Sequence, residues 1–152
     1  KGLRFKQIEI ELGAAGASGG RDALIKLAAE HFAKDASDPN TWSAFAWSCR
    51  YFEDRTRESG KKDEALEWMK WRVVVSRAAK DYGHTVETIG LPGNDDSANK
   101  FFRDIGQDAK AFAAATEPGS PEIPKLLEAA GSAAKALPEE VRRKLTTSPE
   151  KK

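Results

Sequence analysis

Apolar residues return at intervals of three and four through most of this 152-residue chain, and glycine and proline fall mainly between the runs. In the clearest run, Phe45, Ala46, Cys49 and Phe52 stand three, four, seven and ten residues after Trp42. An α-helix of 3.6 residues per turn gathers such positions on one face, where they can be buried together. Because a chain of this length usually forms a single core, the sequence predicts a mainly α protein, a compact bundle of about five to six helices.

The expected helices begin and end at residues that cap or break helices. They are predicted from about Arg21 to Lys34, from Trp42 to near Ser59, from about Lys61 to Tyr82, between a cap at residues 94–96 and a stop at Glu117, from Pro121 through Ala133, and from Pro138 through Leu145. The third of them, from Lys61 to Tyr82, carries apolar residues around more than one stripe. A helix that is apolar on several sides touches several neighbours, so we expect this helix to lie at the centre of the bundle.

The N-terminal residues follow a different pattern. Phe5, Ile8, Ile10 and Leu12 are set among charged and polar residues, and Gln7–Leu12 has the alternation of a half-buried strand. The sequence therefore predicts a short N-terminal strand or extended arm, followed by a flexible linker rich in Gly, Ala and Ser. The expected organisation is an N-terminal strand and linker over 1–20, a helical bundle domain over 21–145 and a frayed tail over 146–152.

Composition limits the environment of the chain. Hydrophobic residues make up 39% and charged residues 32% of the sequence, and the formal net charge is +1. No run of about 18 apolar residues occurs, so we expect a soluble protein without a membrane partner. The single cysteine, Cys49, cannot form an internal disulfide, which favours a cytoplasmic location.

The sequence offers few residues for catalysis or metal binding. Its two histidines, His31 and His84, have no nucleophile or second ligand beside them, and the chain has no CxxC pair. Cys49 stands on an apolar helical stripe, where an inert core thiol is expected. We therefore predict no catalytic residues, no metal site, no cofactor and no enzymatic activity.

Basic residues are concentrated in the second and third helices. Residues 50–80 hold nine Lys and Arg against six Asp and Glu, whereas residues 84–122 hold three against seven. Basic side chains interleaved with aromatic ones can neutralise phosphates and stack on bases, although packed tryptophans and a solvated charged face would give the same pattern. The predicted binding residues are Arg50, Arg55, Arg57, Trp68, Lys70, Arg72, Arg77 and Lys80.

These features predict a non-enzymatic assembly or adaptor subunit that binds a macromolecular partner through its second and third helices. The partner is expected to be another protein or a second copy of the chain. One alternative is a small nucleic-acid-associated subunit of a ribonucleoprotein or DNA-packaging complex, which would use the same basic helices. Another is an accessory domain of a larger enzyme.

One segment resembles pieces of a tetratricopeptide repeat. Asp38–Trp42 is followed by Gly60–Ala65, and the glycine precedes the alanine by five residues, as in that family. The spacing from Trp42 to Ala65 is about two turns longer than a 34-residue repeat has, and no second copy occurs. The resemblance implies a helical hairpin, and no function is carried over from it.

Overall fold

The computed structural model describes residues 2–79 and 95–147, and this part of the chain holds eight helices and no strand. They are α1 (Leu3–Lys34), α2 (Pro39–Glu58), α3 (Lys62–Ala78), α4 (Asp96–Asp104), α5 (Ala109–Ala115), α6 (Glu122–Ala130), α7 (Ser132–Lys135) and α8 (Glu139–Thr146). The prediction of a mainly α fold is confirmed. None of the helices in these two ranges has the length and apolarity needed to span a membrane.

Helix α1 consists of two halves that run in opposite directions. Gly20 interrupts it with φ 79° and ψ −165°, a backbone conformation that essentially only glycine adopts. On either side of this break, His31 Nε2 lies 2.9 Å from Glu11 Oε1. Twenty residues of continuous helix would separate these groups by about 30 Å. Residues 3–19 and 21–34 are therefore the two arms of a helical hairpin.

The prediction of a strand at Gln7–Leu12 is wrong, because these residues lie in the first arm of α1. Phe5, Ile8 and Leu12 are buried at helical spacing, whereas Ile10, which completes the apparent alternation, is 64% exposed. The expected linker is also helical up to Gly19, and a side chain on Gly16 would collide with the ring of Phe52. Gly16 thus permits close packing of α1 on α2.

Asp38 joins the start of α1 to the start of α2. Its carboxylate accepts hydrogen bonds from the Asn40 amide at 2.9 Å and the Thr41 hydroxyl at 3.2 Å, and it also pairs with Arg4. Such a side-chain acceptor satisfies N–H groups that have no partner within the helix, and Pro39 supplies a first residue that needs none. Burial acts to raise the pKa of Asp38, but the bonds from Arg4 and Asn40 outweigh it and hold the pKa below its usual range.

Helix α3 lies between two apolar clusters, in agreement with its expected central position. The larger cluster joins α1, α2 and the C-terminal helices to one side of α3. Within it, the ring centres of Phe32 and Trp42 are 4.8 Å apart. The smaller cluster joins the other side of α3 to α4 and α5 through Met69, Val73, Phe102 and Phe112. Helix α3 therefore contributes buried side chains to both apolar clusters.

The described residues form more helices than the five to six expected, because two predicted helices are broken. The predicted fourth helix ends at Asp104, and α5 begins after Gly106, which has φ 70°. The predicted fifth helix is divided into α6 and α7 at Gly131, which has φ 58°. Both glycines adopt a left-handed conformation, which interrupts a right-handed helix. Of the expected frayed tail, Thr146 ends α8, and residues 148–152 lie outside the described residues.

Candidate functional site

Arg72, one of the predicted binding residues, lies inside the protein. Its side chain and that of Glu53 have no solvent exposure, and they form an ion pair between α3 and α2. Both oxygens of Glu53 take part, with Arg72 Nη2 3.3 Å from Oε2 and Nε bonded to Oε1. Burial raises the pKa of Glu53, although the Arg72 guanidinium acts in the opposite direction. Arg72 is thus part of the core and is not accessible to a partner.

Two further predicted residues make contacts to α4 and α5. Arg57 donates to the Ser97 carbonyl at 3.3 Å, and its guanidinium carbon lies 4.6 Å from the ring centre of Phe101. Arg77 donates to the Thr116 carbonyl and lies 3.9 Å from a carboxylate oxygen of Glu117. Arg57 and Arg77 of the basic helices therefore contact residues 97–117 of the acidic segment, and Arg77–Glu117 is an ion pair between the two.

The other predicted residues also fail to gather on one surface. Arg50 pairs with Asp54 at 3.3 Å, and Trp68 is buried in a stack on Phe52, with 5.0 Å between ring centres. Lys70 is half-buried beside a groove between α3 and α6. Lys80 lies outside the described residues. Of the predicted set, Arg55 is the exposed member that the structure describes.

Arg55 belongs to a surface that we call the aromatic face of α2, formed by Trp47, Tyr51 and Arg55. Trp47 is 39% exposed and Tyr51 50% exposed. Arg55 Nη1 donates to the Tyr51 hydroxyl at 3.0 Å, and its guanidinium carbon lies 5.6 Å from the centre of the Tyr51 ring. The Tyr51 ring in turn meets the Phe52 ring edge to face at 5.0 Å. Two large rings and a guanidinium thus stand at successive turns of one helix.

Trp47 and Tyr51 are not among the predicted binding residues, although Tyr51 lies in the stretch of basic and aromatic residues that suggested them. The predicted apolar stripe on α2 runs through Trp42, Phe45, Cys49 and Phe52, and these positions are the buried or half-buried ones. Positions 47 and 51 fall on the opposite side of a helix with 3.6 residues per turn. Large aromatic residues out of phase with the buried stripe were therefore the signal that could have revealed this face.

Two grooves in the described part of the chain could also hold a ligand. A groove of about 390 Å³ lies between α3, α5 and α6 over Leu66, Ile123 and Leu126. A second groove, of about 250 Å³, follows the α1 hairpin and is lined by Glu11 and His31 among other polar residues. Glu11 could orient the imidazole of His31 as a general base is oriented, but no Ser, Thr or Cys lines this groove.

Cys49 and the acidic residues add no reactive group to these surfaces. Cys49 is fully buried, and burial raises the pKa of its thiol. A thiolate is the nucleophilic form, so a buried neutral thiol is unsuited to attack a substrate. Within the two described ranges, no group of three or more His, Cys, Asp or Glu side chains is placed to hold a metal ion.

Comparison with known proteins supplies no relative for this chain. No family model, no curated protein and no solved structure matches it.

Proposed function

We propose that the chain is a non-enzymatic helical assembly or adaptor domain that binds another protein through the aromatic face of α2. The observation that carries the proposal is the exposure of Trp47 and Tyr51 at adjacent turns beside Arg55. Tryptophan, tyrosine and arginine are the residue types that dominate the binding energy of protein interfaces. Their grouping on one helix face supports a contact surface there.

The rigidity of this face supports the same proposal. Tyr51 is held from one side by the Phe52 ring and from the other by Arg55, while Phe52 itself is packed near Gly16 of α1. Side chains that are already ordered lose less conformational entropy when a partner binds. Tyr51 can therefore contribute its apolar area to an interface at low cost.

The nucleic-acid alternative has weaker support. A phosphate backbone is bound by several lysines and arginines at once. In this chain Arg50, Arg57, Arg72 and Arg77 each lie against a carboxylate of the same chain. No observation favours the accessory-enzyme alternative. We further propose a cytoplasmic location, which is supported by the single buried Cys49 and by the absence of any need for a disulfide.

Photo-crosslinking from the aromatic face tests the proposal. A benzophenone amino acid is introduced at Tyr51 in one variant and, as the control, at the exposed Glu128 of α6 in another. We expect a discrete protein adduct, with a partner or with a second copy, from position 51 and none of the same mass from position 128. Adducts that are equal at both positions, an adduct removed by nuclease, or no adduct at position 51 would contradict the proposal.

A further inference from the structure

Among the arginines of α2 and α3, Arg55 differs in having no carboxylate against it in the described part of the chain. Its contacts are with Tyr51, through one Nη1 hydrogen bond and through the ring face. These contacts tether the guanidinium to Tyr51, and Arg55 makes no second hydrogen bond to the described residues although it is exposed. A guanidinium presents five donors in a planar fork that matches the two oxygens of a carboxylate. Arg55 is therefore placed to bind a carboxylate that the described part of its own chain does not supply.

The spacing along α2 defines what such a partner would have to present. Trp47 and Arg55 are eight residues apart, which is about 12 Å along the helix axis, and Tyr51 lies midway. A partner helix lying along this face would meet two rings and then a guanidinium at intervals of one turn. Its matching side chains are two large apolar residues one turn apart, followed by an acidic residue one turn beyond them.

We infer that the partner binds as an amphipathic helix whose carboxylate pairs with Arg55 while its apolar residues cover Trp47 and Tyr51. This inference rests on the proposed function and adds the chemical class of the partner. Charge complementarity carries it, because Arg55 is the cation of this face that has no carboxylate against it among the described residues, 2–79 and 95–147. Helix binding by i, i+4 apolar anchors is a recurring mode of recognition.

The acidic residues near Arg55 favour a single carboxylate over a polyanion. Asp54 is about half exposed and pairs with Arg50, and Glu58 is exposed one turn after Arg55. A phosphate backbone would bring several negative charges close to these two carboxylates. One aspartate or glutamate on a helix meets Arg55 with far less repulsion.

Two designed helical peptides test the inference. The first carries two leucines one turn apart with a glutamate one turn beyond each, so that either orientation of the peptide offers the required pattern. The second has lysine in place of both glutamates. Binding of fluorescently labelled peptide to the folded chain is followed by anisotropy. We expect the glutamate peptide to bind about tenfold or more tightly than the lysine peptide, since charge-assisted hydrogen bonds are among the stronger polar contacts.

Charge exchange makes the test specific. Arg55→Glu should weaken binding of the glutamate peptide about tenfold and strengthen binding of the lysine peptide. Lys62→Glu, the same reversal at an exposed residue of α3, is the matched control and should leave both affinities unchanged. Circular dichroism checks that each variant remains helical. Equal affinity for the two peptides, no binding of either, or no response to Arg55→Glu would overturn the inference.

A further variant separates this inference from the proposed function. Trp47→Ala with Tyr51→Ala removes the two rings, and with them the contacts of Tyr51 to Arg55, but keeps the positive charge of Arg55. If the double variant abolishes peptide binding while Arg55→Glu has no effect, the aromatic face is a docking surface and the acidic partner class is wrong. If the double variant binds both peptides as the original chain does, the face itself is not the contact surface and both proposals fail.

Discussion

Arg72 and Glu53 show how a single residue can be mistaken for a binding residue. Sequence places Arg72 among basic and aromatic neighbours, but in the fold its guanidinium is fully buried against a carboxylate. Removing two ions from water is costly, and their mutual attraction offsets this cost only when both remain. The pair should therefore behave as a unit in mutational tests.

We predict that Arg72→Met destabilises the fold by about 3 to 5 kcal/mol, because it leaves the Glu53 charge buried without its main partner. Arg72→Met combined with Glu53→Leu should cost markedly less than the single change, since neither buried charge then remains. Urea denaturation of the single and double variants measures both effects. Additive losses in the double variant would show that the two side chains do not act as a pair.

Cys49 permits a second prediction at the scale of one residue. Its side chain is fully buried in the main apolar cluster, and burial raises the pKa of the thiol. The reactive thiolate is thus disfavoured, and reagent has no access without opening of the fold. We expect labelling by a thiol reagent to be slow in native buffer and fast in denaturant. Rapid native labelling would refute the burial of Cys49.

At the scale of the element, α1 depends on one glycine that reverses the chain, whereas its other glycines lie within helix. Gly20 has φ 79° and ψ −165°, whereas Gly13 is helical and has open space around the position of a Cβ atom. We predict that Gly20→Ala destabilises the fold by about 1 to 3 kcal/mol through backbone strain. Gly13→Ala is the matched control and should stabilise the helix by about 0.5 to 1 kcal/mol.

Thermal melts of the two glycine variants distinguish these expectations. If both variants are stabilised, Gly20 does not need its unusual backbone conformation, and α1 would not reverse at that residue. If both variants lose stability, a methyl group at position 13 must collide with a neighbour, because helix propensity alone favours alanine there.

Helical spacing predicted the existence and approximate limits of α2 and α3, since apolar positions three and four apart are buried together. It failed at Ile10, because an exposed isoleucine between Ile8 and Leu12 gives the period of a strand. The breaks at Gly106 and Gly131 also escaped prediction. A glycine within an apolar pattern is compatible with both a continuous and an interrupted helix, and only tertiary packing decides between them.

The candidate site was predicted only in part for a related reason. The sequence identified α2 and α3 as the basic helices, and Arg55 remains in the candidate surface. Arg57 and Arg77 were predicted for a partner, but their contacts are with α4 and α5. Which arginines face a neighbouring helix depends on how the helices are arranged, and periodicity within one helix carries no information about that arrangement.

At the scale of the whole molecule, the ionisation of Asp38 makes the free energy of unfolding depend on pH in the acid range. Its pKa is below the usual range in the folded state, so the unfolded state binds a proton at higher pH. The stabilisation is therefore complete above the unfolded pKa of about 3.9 and is lost as the pH falls through the lower folded value. We predict that Asp38→Asn lowers stability at neutral pH by about 0.2 to 1 kcal/mol, because asparagine can still cap α2 but loses the charge that pairs with Arg4.

The same substitution should make the free energy of unfolding fall less steeply as the pH is lowered below about 5, because one carboxylate no longer takes up a proton on unfolding. Urea denaturation at a series of pH values measures this slope for the original chain and the variant. Parallel curves for the two proteins would show that Asp38 titrates alike in the folded and unfolded states.

The separation along the chain between helices that contact each other has a consequence for the rate of folding. The most extensive contacts between elements join α1 to α2 and α2 to α3, which are neighbours along the chain, and the α1 hairpin closes on itself at Gly20. Contacts between neighbouring segments require the closure of short loops, and chains dominated by them fold in microseconds to milliseconds. The contacts of α7 with α1 and of α8 with α3 span far longer separations. The N-terminal three helices can therefore form a partly ordered nucleus onto which the C-terminal helices dock later.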